Sequence, residues 1–356
     1  MILPLRRGVA MRAMMAYAGL RPLKTRLGRL LLAGLVGVGL PLPARRIVLE
    51  ESAPGGRSPD TIVRQLRERL GREIDVAMHL RRTANRKALL QVMSMEGETL
   101  GFAKLARNEV TAAGIRVETS VLSEFDGGSG LVRTPRVLAS GECNGLPFVM
   151  TEPLPASIRA VPMTREGAPS ASEFAAVSPV TGAAAPAETG HIRRMRERLV
   201  GLRAEGLDGL SLDLVAELLD DIRRFADPMP VAKRWHGDFA YWNVGRSPDG
   251  TLWCWDFENV EPDALAGLDV IHWHASRRRS ESGVIGVADR DGILSDSAKT
   301  LRAFAITSPP ELHVLYQTYL AEIALRTLEM AAADGWGRVW TSESELAGLI
   351  SAGRRV

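Results

Sequence analysis

The densest group of chemically capable side chains is His236-Gly237-Asp238-Phe239-Ala240-Tyr241-Trp242-Asn243. Thirteen residues after Asn243 comes Asp256, in Trp255-Asp256-Phe257-Glu258. Two carboxylates and an amide set in short apolar runs suit phosphoryl transfer, which asks a protein for alignment and charge neutralisation more than for covalent help. Asp238 is suited to accept a hydrogen bond from an attacking hydroxyl. Asn243 and Asp256 are suited to hold Mg2+, a hard cation that prefers oxygen ligands and keeps several waters, so that one carboxylate and one amide suffice.

This pattern, His-Gly-Asp-x-x-x-x-Asn followed by an Asp-Phe segment, resembles the aminoglycoside phosphotransferase and choline kinase group of kinase-like enzymes. The resemblance implies an α+β, two-lobed protein-kinase-like fold, with a small antiparallel-sheet lobe and a mainly helical lobe. It implies that Asp238 orients the acceptor hydroxyl, that Asn243 and Asp256 bind metal, and that His236 packs beneath the site without reacting.

Upstream segments agree in order. Gly101-Phe102-Ala103-Lys104-Leu105 looks like the strand that carries the ATP-phosphate lysine. Glu118, at helical spacing before Val121 and Leu122, resembles the glutamate that pairs with that lysine, with Glu109 as a rival. Phe148-Val149-Met150-Thr151-Glu152 is similar to the approach to a hinge that holds adenine through its backbone, which brings Thr151 and Glu152 into the cofactor site. Asp269, in Leu268-Asp269-Val270, is expected to play a structural part. One departure stands out: where a glycine-rich phosphate loop belongs, the sequence has Arg81-Arg82-Thr83-Ala84-Asn85-Arg86-Lys87.

The elements that must position these residues are legible in outline. Ile62, Leu66 and Leu70 recur at helical spacing from about Thr61 to Glu73. Strand patterns follow over Ile74–Leu80, Ala88–Met95 and Thr99–Leu105, the last two joined by a turn at Met95-Glu96-Gly97-Glu98. A helix is predicted over Glu109–Phe125, stopped by Asp126-Gly127-Gly128-Ser129-Gly130. Two short strands, Arg136–Ala139 and Pro147–Thr151, flank the turn Cys143-Asn144-Gly145. The region 155–190, rich in Ala, Pro, Ser, Thr and Gly, reads as an insert or loop. Beyond it the chain reads as helical, with Ser211 capping a helix to Phe225 and a long helix over 311–333 opened by Pro309-Pro310. The expected organisation is therefore an extension over 1–59, a nucleotide-binding lobe over 60–154, the insert, and a helical lobe over 191–356.

Composition sets the outer bounds. Of 356 residues, 24% are charged and 46% hydrophobic, the profile of a soluble globular protein. Residues 1–49 hold nine Lys or Arg and no Asp or Glu; against a net charge of +3, the remainder carries 3 − 9 = −6. The extension lacks the interleaved aromatics of a nucleic-acid surface, and no nucleic-acid partner is expected. Its apolar run, Leu30 to Leu42, is shorter than the roughly 20 residues a membrane helix needs. Docking on the body, resting on a membrane surface, or a disordered leader all stay open for it. Two cysteines, Cys143 and Cys254, read as reduced thiols in a cytoplasmic protein. His272-Trp273-His274 is no zinc site, because helical positions two apart do not face each other. Arg277-Arg278-Arg279 reads as a solvated charge run.

The expected function is an ATP- and Mg2+-dependent phosphotransferase acting on a hydroxyl of a small molecule: a sugar, amino sugar, amino alcohol or glycan-linked acceptor. The alternative is a catalytically silent kinase-like module that binds nucleotide or protein, a reading to which the missing glycine-rich loop lends support.

Overall fold

A computed structural model of the chain describes residues 2–4, 6–16, 20, 23–38, 59–80, 88–164, 167–282, 289–339 and 341–354. The loop 81–87, expected to meet phosphates, lies outside the described residues. Helices, in chain order, are α1 (Arg7–Met14), α2 (Leu23–Gly37), α3 (Pro59–Leu70), α4 (Glu109–Phe125), α5 (Ala171–Val177), α6 (Gly190–Ala204), α7 (Leu210–Arg224), α8 (Leu268–Ser282), α9 (Asp289–Arg302), α10 (Pro309–Asp334) and α11 (Glu343–Arg354). The strands are β1 (Ile74–Leu80), β2 (Ala88–Ser94), β3 (Thr99–Leu105), β4 (Gly128–Ser129), β5 (Val132–Arg133), β6 (Val137–Cys143), β7 (Leu146–Thr151), β8 (Arg159–Ala160), β9 (Val180–Ala184), β10 (Met229–Trp235), β11 (Val244–Arg246), β12 (Leu252–Cys254) and β13 (Glu261–Leu265). They divide into two compact units, Met1–Ala160 with Gly245–Glu258, and Val161–Val244 with Asn259–Val356.

In the first unit a five-stranded antiparallel sheet runs in the order β1-β2-β3-β7-β6. The β2–β3 and β6–β7 hairpins turn where the sequence predicts. Ser94 Oγ accepts from the backbone N–H groups of Glu96 and Glu98, each at 3.2 Å, around Gly97. Asn144 and Gly145, at φ 53° and 74°, supply the two successive left-handed residues that a tight hairpin needs. α3 buries Ile62 and Leu66 against Ile74, Leu90, Val92, Phe148 and Met150, forming the core of this sheet. α4 begins at a reciprocal cap: Thr111 N–H donates to Asn108 Oδ1 at 3.0 Å, and Asn108 N–H donates to Thr111 Oγ1 at 3.1 Å. It ends on Asp126 in the left-handed region.

The N-terminal extension, over its described part, docks on this unit. Ile2 and Met78 exchange backbone hydrogen bonds of 2.8 and 2.9 Å at the β1 edge. Val9 and Ala13 of α1 pack with Ala77 and Met93, and α2 packs on α1.

A second sheet, β4-β5-β12-β11-β8, draws the late segment into the first unit. β12 runs parallel to β5, and β11 pairs antiparallel with β8. Asp256 therefore belongs with the small sheet and not with the helical part in which the sequence pattern placed it.

The second unit is built on α6–α11 and a three-stranded sheet, β13-β10-β9. The region 155–190 differs from its reading as an insert or loop. It carries α5 and β9, with Phe174 and Val177 buried and β9 paired to β10. Low aromatic and branched content hid these elements. The capping pair Ser170 and Glu173, whose carboxylate accepts from Ser170 N–H at 2.7 Å, was the available signal. α7 is capped by Gly209; Ser211 lies within it and donates to the Glu343 carbonyl at 3.1 Å. α10 starts at Ser308 with Pro309-Pro310 in its first turn, where missing N–H groups cost nothing.

Leu66 is fully buried at the α3–sheet contact. Leu66→Ala should lower stability to urea by about 2–5 kcal/mol. A change of about 0.5 kcal/mol, typical of an exposed position, would contradict the packing described.

Candidate functional site

In the first unit, β3 points Lys104 at a carboxylate cluster. Its ammonium donates to both Glu118 oxygens at 2.7 Å and to Asp256 Oδ1. Glu118 comes from α4, fourteen residues along the chain, and Asp256 from the segment after β12, 152 residues along. Glu118 is buried, so its charge stands only because the ammonium meets it.

Burial alone would lower the Lys104 pKa. Asp256, Glu118 and Glu258 outweigh it and hold the ammonium charged well above its ordinary range. Burial pushes the Glu118 carboxyl up, opposed by Lys104 and reinforced by Asp256 and Glu258.

Glu118, Asp256 and Glu258 each offer an oxygen within 4.8 Å of the others. Three carboxyl groups crowd one ammonium there and present hard oxygen donors. That donor set fits a divalent cation such as Mg2+. Asp256 adopts φ 69°, a conformation uncommon outside glycine and found disproportionately at functional positions.

In the second unit the turn after β10 holds Asp238. Asn243 Nδ2 donates to the Asp238 carbonyl at 2.9 Å and to its Oδ2 at 2.8 Å, and Trp242 Nε1 donates to Oδ2 at 3.2 Å. His272 Nε2, from α8, lies 3.2 Å from Asp238 Oδ1 and 3.2 Å from Ser276 Oγ. Asn243 is buried and its amide nitrogen is committed to Asp238, so its Oδ1 is the atom that could meet a cation.

The sequence can build this turn only with glycine at 237. That residue has φ 80°, and a Cβ there would stand 2.1 Å from the Asn259 carbonyl oxygen. His236 is fully buried, packed on Phe239, and its Nδ1 accepts from Asp238 N–H at 3.3 Å, which fits the expected packing place. Buried Asp269 accepts from His236 N–H at 3.2 Å and from the Ser178 hydroxyl, tying α8 to the turn. Burial pushes its carboxyl up, opposed by His236 and Ser178.

Behind this turn sits a buried network that sequence reasoning missed. Arg326 Nη1 donates to the Gly237 carbonyl at 2.8 Å and Nη2 to the Asn259 carbonyl at 3.1 Å. Its guanidinium stacks over Trp235, 4.9 Å from the ring centroid. Fully buried Glu322 accepts from Arg326 Nε at 2.6 Å and from Arg198 Nη1 at 2.8 Å, and lies 3.0 Å from His191 Nε2. Its signal was a Glu–Arg pair four residues apart inside an otherwise apolar helix. For His272, the signal was its position three residues after Asp269 and four before Ser276, on one face of α8.

Thr151 and Glu152 are placed less openly than expected. Thr151 ends β7 in register with Phe102 on one side and Val137 on the other. Glu152 N–H donates to the Arg136 carbonyl at 2.9 Å, and its carboxylate accepts from Arg136 N–H at 3.1 Å. The residues just beyond them, Pro153 and Leu154, line a cavity of about 800 Å³ with Phe102, Ile158, Met11 of α1 and Leu30 of α2. Its size and apolar walls are those of a small-molecule pocket.

No sequence-family profile matches the chain, and no curated protein matches it. Solved structures do. An aminoglycoside phosphotransferase, solved as a ternary complex with ADP and hygromycin B, is 13% identical with a TM-score of 0.54, covering 83% of this chain and 100% of that one. A choline kinase from Streptococcus pneumoniae is 12% identical with a TM-score of 0.50, covering 82% and 96%. An amicoumacin kinase, solved with AMP-PNP and Ca2+, is also 12% identical with a TM-score of 0.50, covering 83% and 92%. At these identities the likeness is one of fold, and that fold is the protein-kinase-like one.

The Glu322 carboxyl is held well below the usual carboxylate range: burial would raise it, but Arg326, His191 and Arg198 prevail. A carboxyl depressed on folding contributes stability that is present above its unfolded pKa of about 4.3 and is lost as pH falls through the folded value. Glu322→Gln should therefore cost about 3–5 kcal/mol at neutral pH, leaving two guanidinium groups short of a partner. Its stability should also fall less steeply than wild type on acidification below about pH 4.3. Urea denaturation at neutral pH and through the acid range checks both; parallel profiles would refute the role.

Proposed function

We propose that this kinase-like fold transfers the γ-phosphate of ATP to a hydroxyl of a small molecule. The observation that carries the reading is the Lys104–Glu118–Asp256 cluster, in which residues far apart in sequence form one ion-paired group on the sheet of a kinase-like fold. In this reading Lys104 meets the α- and β-phosphates, and Glu118 keeps its ammonium aimed. The base occupies the cavity beside Phe102 and Leu154. Asp256 and Glu258 would hold Mg2+, which would neutralise charge on the phosphates, and Asn243 Oδ1 is a further candidate oxygen donor.

Asp238 accepts a hydrogen bond from the acceptor hydroxyl. Asn243 and Trp242 fix one of its oxygens and His272 the other, so the carboxylate is oriented before substrate arrives. As the acceptor oxygen bonds to phosphorus, the bond from phosphorus to the β–γ bridging oxygen breaks and ADP leaves. The hydroxyl proton passes to Asp238 and from there to solvent. Sugars, amino sugars, amino alcohols and glycan-linked alcohols are the acceptor classes in view; the neighbours' own names cover an aminoglycoside, choline and amicoumacin.

Melting with and without Mg-ATP tests the nucleotide half of this reading. A ligand at about 100 times its Kd adds roughly 2.7 kcal/mol to the native state, so wild type should shift upward and Asp256→Ala should not. An unshifted wild type at millimolar nucleotide would favour the silent module.

ADP release across a panel of hydroxyl acceptors tests the chemical half. Asp238→Asn should lose about 10²–10⁴-fold in turnover while keeping the Mg-ATP shift. His272→Ala should lose roughly ten- to hundredfold in kcat with little change in nucleotide KM, because it positions the carboxylate and touches no phosphate. Turnover unchanged in Asp238→Asn would remove Asp238 from the chemistry.

A further inference from the structure

We propose that the outward face of α2 is a docking surface for an anionic lipid bilayer. The helix packs inward through Ala33, which is buried, and Arg29, whose guanidinium donates to the Met14 carbonyl at 3.3 Å. On the other side Leu27, Leu31, Leu35 and Val38 recur at intervals of four, four and three residues, which sets them in one stripe along the helix. All four are exposed, Leu31 by 71% and Val38 by 74%. Isolated apolar residues are ordinary on a protein surface, but a continuous stripe marks an interaction site.

Charge selects the partner. The first 49 residues carry nine basic side chains and no acidic one, while the rest of the chain is net negative at −6. Lys24 and Arg26, both exposed, stand in the first turns of α2, and Lys24, three residues before Leu27, lies in line with the stripe. Basic residues flanking exposed leucines match a surface that offers acyl chains below and anionic headgroups above.

Composition argues against a protein partner. Protein interfaces are anchored by aromatic side chains in shaped pockets, and α2 has none, only Leu, Val, Ala and Gly among its apolar residues. No helix among the described residues is long and apolar enough to cross a membrane. α2, at 15 residues, would lie in the plane of the interface.

The test is co-sedimentation of the full chain with phosphatidylcholine vesicles, with and without phosphatidylserine, at ionic strengths of about 0.05 and 0.5 M. Wild type should sediment with the anionic vesicles at low salt and be released at high salt. Lys24→Glu with Arg26→Glu should weaken that binding about tenfold or more. Leu31→Glu with Leu35→Glu should abolish it at low salt while leaving the melting temperature unchanged, since both side chains face solvent. If that pair melts early, Leu31→Ser alone repeats the test.

Failure of wild type to bind, or undiminished binding by the leucine variants, would overturn the proposal. So would a wild-type dimer in light scattering that the leucine variants dissolve, which would assign the stripe to a second copy of the chain.

Discussion

A lysine ammonium held among carboxylates is the constraint on which the first unit turns. Half-buried Lys104 is held charged by Asp256 and Glu118, and the buried Glu118 carboxyl has that ammonium as its partner. Meeting that condition ties β3 to α4 and requires the chain to come back after Val244 and pair β12 with β5. The same condition leaves an acidic excess on one spot of the sheet. A polar group this expensive to bury is an odd choice for stability alone; apolar packing would serve as well or better.

The second unit solves a different problem: holding a sharp turn in place. Gly237 permits the turn, and the buried Glu322–Arg326 pair grips its carbonyl from behind, while Asp269 takes the His236 N–H. Asp238 is thus fixed from the backbone side by α10 and α8, and from the side-chain side by Asn243, Trp242 and His272. Rigid support of this kind fixes where the carboxylate points.

Much of this was legible in the sequence because local chemistry and global fold agree at those places. The strands over 74–80 and 99–105 and the helix over 109–125 have the boundaries their patterns predict, since turn residues and caps bracket each one. Lys104, Glu118 and Asp238 could be named from spacing and family resemblance together. What stayed hidden depended on distant contacts. α5 and β9 come from an alanine-rich stretch, α5 seated by Phe174 meeting Phe239, 5.2 Å between ring centroids, and β9 by its pairing with β10. The return of Asp256 to the small sheet follows from strand pairing 120 residues apart, Leu252 with Val132, and no local pattern encodes a partner at that range. Thr151 pairs to both neighbouring strands at the end of β7, and Pro153 and Leu154 beyond it line the cavity, an arrangement set by strand register and not by local pattern.

The cavity beside Phe102 is walled in part by Met11 of α1 and Leu30 of α2, so the extension supplies one side of a pocket otherwise made by the sheet and the chain after β7. Occupancy of that pocket and the seating of the helix pair are then linked equilibria. Whatever fills the pocket by favouring the seated helices is itself favoured, by the same factor, by whatever keeps them seated. Trimming the extension would take away one wall of the pocket without removing a single carboxylate or lysine of the two polar clusters.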